Sequence, residues 1–129
     1  MKVGRTIVQQ PVAEKIAALT ALRTPGVLRL EPSISALAAS LSRRALGGWR
    51  GNGNGSMPAT AGVRAEISGE AVSVEIALAV ELGRPIPDVA ADAQRRVADA
   101  LRELGGFDAT AVAILVVDVD QALKPSVRP

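Results

Sequence analysis

The stretch VRAEISGEAVSVEIALAVELGRPIPDVAADAQRRVADALREL (Val63–Leu104) carries two hydrophobic periods in succession. Val63, Ala65 and Ile67 alternate with Arg64, Glu66 and Ser68. After Gly69-Glu70, a pair suited to a tight hairpin turn, Val72, Val74, Ile76, Leu78 and Val80 repeat at every second position. Successive side chains on a strand point to opposite faces, so both segments predict strands with one buried face. Pro85 and Pro87 end the alternation. A proline in the first helical turn forfeits no hydrogen bond, and Asp88 beside it meets the positive end of a helix. Val89, Ala93, Val97, Ala100, Leu101 and Leu104 then share one helical face. On the other side Asp92 can reach Arg95 and Arg96, and Asp99 can reach Arg102, each pair adding only ~0.2–0.5 kcal/mol. Gly105-Gly106 stops the helix.

Downstream, ATAVAILVVDVD (Ala109–Asp120) is apolar at both parities, which predicts a central strand covered on both faces. Upstream, PVAEKIAALTALR (Pro11–Arg23) places Val12, Ile16, Leu19 and Leu22 on one helical face, and Thr24-Pro25-Gly26 terminates it. Val27–Glu31 reads as a short strand, and Ser33 can cap a second helix to about Ala45. Gly47–Gly62, rich in Gly, Asn, Ser and Pro, reads as a mobile loop. The order αβαββαβ predicts an α+β two-layer sandwich, with a mixed, mostly antiparallel four-stranded sheet and helices on one face. A single domain is expected over residues 11–120, with a short extension at 1–10 and a frayed tail at 121–129. The sheet face carrying Ala77, Ala79 and one side of Ala111–Val117 would then lack a cover, so homodimerisation or docking through the sheet is expected.

Composition removes most chemistry. The 129 residues include no Cys, His or Tyr, which excludes a disulfide, a zinc-thiolate site, a Cys nucleophile and a Ser–His–Asp triad. The usual neutral-pH base is also missing, so no enzyme activity, cofactor or metal site is expected. The longest apolar run, Ala111–Val117, falls far short of the ~20 residues of a membrane-spanning helix. Met1–Pro11 lacks a signal-peptide pattern, and a cytoplasmic protein is expected. Residues 1–60 hold eight Lys/Arg against two acids, and residues 61–120 hold five Arg against eleven acids. Halves of opposite sign can pair head to tail with other copies or neutralise each other within one fold.

Several groupings invite a functional reading. Asp118 and Asp120 could hold a hard cation, but no further oxygen donors accompany them and a solvated strand end is the simpler account. Glu66, Glu75 and Glu81 share the outward hairpin face without an aromatic platform for a sugar. Arg43, Arg44 and Arg50 surround the single tryptophan, Trp49, and these four residues are the candidate partner contact. Gly48-Trp49-Arg50-Gly51 has the spacing of a nucleic-acid-clamping G-x-x-G loop but not its helix–loop–helix setting. Nucleic-acid binding through the basic first half is thus an alternative rather than the main expectation.

Residues 62–120 resemble the alkaline-shock-protein family of Gram-positive general and envelope stress proteins. The resemblance is carried by the Gly62-Val63 strand opening, the hairpin, and the helix start Gly83, Ile86, Pro87. Gln94 and Val97 at the helix centre, the glycine stop and the final V-x-D-V strand complete it. Upstream, VAEKIAALTALRTPGV (Val12–Val27) is similar to the family's first helix. The segment Gly47–Ala61 departs from the family pattern. The resemblance implies a non-enzymatic, cytoplasmic, self-assembling protein linked to envelope homeostasis, with a membrane-anchored protein as partner. It implies no catalytic residue.

Overall fold

In the computed structural model, residues 4, 6–32 and 61–122 are described, and they form two helices and four strands. Helix α1 spans Gln10–Leu22, strand β1 Val27–Leu30, β2 Val63–Ser68, β3 Ala71–Glu81, helix α2 Ile86–Gly105, and β4 Asp108–Asp120. The helix expected over 33–45 lies outside the described residues, as do Arg43, Arg44, Trp49 and Arg50.

Strand β3 is the centre of the sheet. It pairs antiparallel with β1 and β2 and parallel with β4. A strand has only two edges, so β1 and β2 lie end to end along one of them. Ala77 shows the junction: its carbonyl accepts from Glu31 N–H at 2.9 Å, and its N–H donates to Gly62 O at 2.8 Å. The chain leaves the ladder after Glu31 and returns at Gly62, opposite the same residue. The four strands therefore make a sheet three strands wide. This long-range continuity leaves no periodic trace in the sequence.

The hairpin forms as its pattern predicts, with Ser68 opposite Ala71 across a two-residue turn and Gly69 at φ 63°. Val72, Val74, Ile76, Leu78 and Val80 face the helices and are buried. Helix α2 starts at Pro85-Ile86-Pro87 with Asp88 in its first turn. It ends in a paired cap: Gly106 N–H donates to Arg102 O and Phe107 N–H to Leu101 O, with Gly106 in the left-handed region at φ 72°. Phe107 is thereby tucked into the core. Val89, Ala93, Val97 and Leu101 are buried, whereas Leu104, expected on the same stripe, is 73% exposed. The expected ion pairs form, Asp92 with Arg95 and Arg96, and Asp99 with Arg102.

Strand β4 departs from expectation. It is an edge strand paired only with β3 among the described residues, not a central one. The register slips by one residue at Thr110 and again at Val117. Each slip is a bulge that inverts the facing of every residue beyond it. Val112, Ile114, Val116 and Val119 therefore face the helices, opposite Val74, Ile76, Leu78 and Val80. Ala111, Ala113, Leu115, Asp118 and Asp120 face the other way. An apolar run at both parities came from bulges rather than from burial on both faces.

Helix α1 also turns a different face inward from the one its large residues mark. Ala13, Ala17, Ala18 and Ala21 are buried, while Val12, Leu19 and Leu22 are 48, 45 and 42% exposed. Ala13, Ala17 and Ala21 recur every four residues, a stripe of minimal bulk that lets the helix approach the sheet and α2 closely. Introducing volume there should destabilise more than removing it outside. Ala17→Leu is expected to cost about 1–3 kcal/mol by overpacking. Leu19→Gln is expected to cost about 1 kcal/mol at most in the same urea titration.

Candidate interaction surfaces

One buried carboxylate joins α1 to the sheet. Glu14 is 5% exposed, and its Oε2 accepts from Ala65 N–H at 3.1 Å and from Gln10 Nε2 at 3.3 Å. Ala65 lies on β2, whose other side pairs with β3, so Glu14 satisfies an edge N–H that the ladder leaves over. Removing the acceptor would strand that buried donor. Glu14→Ala is expected to cost about 1–3 kcal/mol, read as a lowered urea midpoint. Reading α1 by bulk conceals this residue; on the Ala13–Ala17–Ala21 stripe it falls among the core positions.

On the sheet face turned away from the helices, Arg29 of β1 lies opposite Ala79, which lies opposite Asp118 of β4. The guanidinium donates to Glu31 Oε1 at 2.6 Å and reaches across the small Ala79 to Asp118 Oδ2 at 3.0 Å. Asp120 Oδ2 is 3.7 Å away. The hydrogen bond to Glu31, followed by the charges of Glu31, Asp120 and Asp118, raises the Arg29 pKa above the ordinary arginine value. The two aspartates, candidate cation donors by sequence, thus face an arginine. No group of three or more His, Cys, Asp or Glu able to hold a metal occurs among the described residues.

Ala77 and Ala79, expected to lack a cover on this face, are 1 and 0% exposed. As alanines on the central strand they sit below longer neighbours, with Arg29 spanning Ala79. Exposure on this face moves outward to β4, where Ala111 and Ala113 are exposed; Val117 at the second bulge and Val119 on the helix side are 44 and 38% exposed. Glu66, Glu75 and Glu81 share the same face, but each has a neighbour of its own. Glu66 pairs with Arg64 at 3.8 Å, Glu81 with Arg84 at 2.8 Å, and Glu75 sits opposite Arg64 in the β2–β3 register.

Along the open edge of β4, Gln94 Nε2 on α2 donates to Val112 O at 3.1 Å. This gives a structural role to the glutamine at the helix centre. Between the two bulges, Ala111–Val116 runs as a regular segment without a charge, a Lys or a Pro. Natural sheets usually protect such an edge with one of these.

A second apolar surface lies on the helix layer. Val12, Ile16 and Leu19 of α1 and Leu104 at the end of α2 line a groove, with Pro11 at one end and Lys15 and Arg23 at its rim.

Among the described residues the geometry is that of an α+β fold, two helices on one face of an open mixed sheet, with exposed apolar side chains on an edge strand and on the outward side of the first helix. No described helix is long and apolar enough to cross a membrane. The chain belongs to the alkaline shock protein 23 family, described as having a cell envelope-related function, whose model matches residues 1–121. A comparison with curated proteins finds no significant match. Among solved structures, the copper form of the MamM CTD is similar with TM-score 0.52 and 12% identity, covering 91% of this chain and 96% of that one. A double variant of the same domain gives TM-score 0.51 and 10% identity, over 92 and 100% of the two chains. At these identities the likeness is one of fold alone.

Proposed function

We propose that the chain is a non-enzymatic interaction protein of the cell envelope, which associates with further copies of itself through β4 and holds a protein partner near the membrane. The reading rests on one observation above the rest. A thirteen-residue edge strand, paired on one side only among the described residues, exposes Ala111, Ala113, Val117 and Val119. An open strand edge offers a row of backbone donors and acceptors to another chain, and exposed apolar side chains beside it add area. The family's envelope-related description supports the same direction. The absence of Cys, His and Tyr leaves little for catalysis to use.

Ala113→Lys places a charge in the middle of the uncharged edge segment while leaving the core untouched. Sedimentation at high micromolar concentration is expected to show an oligomer for the wild type and its dissociation in the variant. Identical oligomers in both would remove β4 from the interface.

A further inference from the structure

The groove on α1 is independent of β4, and its construction is unusual. The helix buries its alanines and leaves Val12 and Leu19 largely outside, and with the half-buried Ile16 between them they form a row of two turns, ~10 Å long. Leu104, 73% exposed, closes one side from the end of α2. Ile16 packs against the core on one side, but Val12 and Leu19 stand outside it, since the helix meets the sheet through Ala13, Ala17 and Ala21.

Charge selects the occupant. Among the described residues the charged side chains lining the groove are Lys15 and Arg23, and no carboxylate lines it. Glu14, on the same helix, is directed the other way, to Ala65 of β2. A second copy docking through the same groove would bring these cations against their own kind. A membrane surface is flat and would rest on the ridges of a concave site. A rod of two to three turns fits the concavity, with apolar residues three and four apart to fill it. We propose that this groove receives an amphipathic helix of a protein partner, apolar on the buried side and carrying Asp or Glu along its flanks.

Two synthetic helical peptides with the same leucine stripe, one flanked by Glu and the other by Lys, test this by calorimetric titration of the full chain at low salt. The Glu-flanked peptide is expected to bind, and the Lys-flanked peptide roughly tenfold more weakly or not at all. Leu19→Gln, with an unchanged circular dichroism spectrum, should abolish binding of the Glu-flanked peptide. The double variant Lys15→Glu/Arg23→Glu should reverse the preference. Equal binding of both peptides, no binding of either, or insensitivity to these variants would overturn the proposal. So would Leu19-dependent binding to mixed neutral and anionic phospholipid vesicles, or a Leu19-dependent change in oligomeric state. Ala113→Lys should bind the Glu-flanked peptide as the wild type does, so failure of the groove and failure of the β4 interface give different results.

Discussion

Replacing Ile76 by alanine is expected to lower stability by about 2–5 kcal/mol, the range for deleting a fully buried branched side chain. Ile76 is 0% exposed on the middle strand, opposite Val63 of β2 and Ile114 of β4. The cavity would open where three strands and the helix layer meet, and backbone paired on both sides has little freedom to close it. Apart from Phe107, held at the end of α2, the core among the described residues is built from Ala, Val, Leu and Ile, whose short side chains reach little way into such a gap. Against a typical stability of ~5–15 kcal/mol, such a loss shifts the urea midpoint by a large fraction. Ile76→Val, which removes one methylene, should cost only about 0.5–1.5 kcal/mol. Leu104→Ala, at a 73% exposed position, should change the midpoint little.

Gly62→Ala is the second large effect. Gly62 has φ 95°, a conformation that costs a residue with a side chain about 1–3 kcal/mol. A Cβ there would also lie 2.9 Å from Glu31 O and 3.2 Å from Ala77 O. Both oxygens are backbone atoms held in the ladder junction, so neither can turn aside as a flexible side chain would. The clash adds to the conformational cost and falls on the point where the chain rejoins β3 after residues 32–61. The urea midpoint should drop, and amide exchange at Glu31 and Ala77 should accelerate more than at Ser68, at the far end of β2. By contrast Gly69, with φ 63° and open space around it, should accept alanine at the conformational cost alone.

The local signals in the sequence transferred well to the fold where one residue type dictates one conformation. The hairpin turn, the proline start of α2 and its glycine stop all stand where alternation and punctuation placed them. The α1 stripe did not, because periodicity marks an apolar face without saying which of two such faces packs. Bulk pointed to Val12, Ile16, Leu19 and Leu22, of which Ile16 alone packs against the core, whereas close approach to the sheet selects Ala13, Ala17 and Ala21. The inward face of β4 was hidden by two bulges, since each extra residue reverses the alternation on which strand reading depends. The collinear pairing of β1 and β2 joins residues separated by the segment 32–61, and no local pattern encodes it. Of the interaction surfaces, β4 was legible as an apolar run, but its edge position was not. The groove became visible only once the alanine face of α1 was seen to be the buried one.

On the proposed function, β4 is an interface between copies of this chain. Sedimentation velocity of the full chain, with Ala113→Lys alongside, tests it most directly. An oligomer that dissociates on this one substitution, with the circular dichroism spectrum and urea midpoint retained, is the predicted result. A wild-type chain that sediments as a monomer at high micromolar concentration would contradict it.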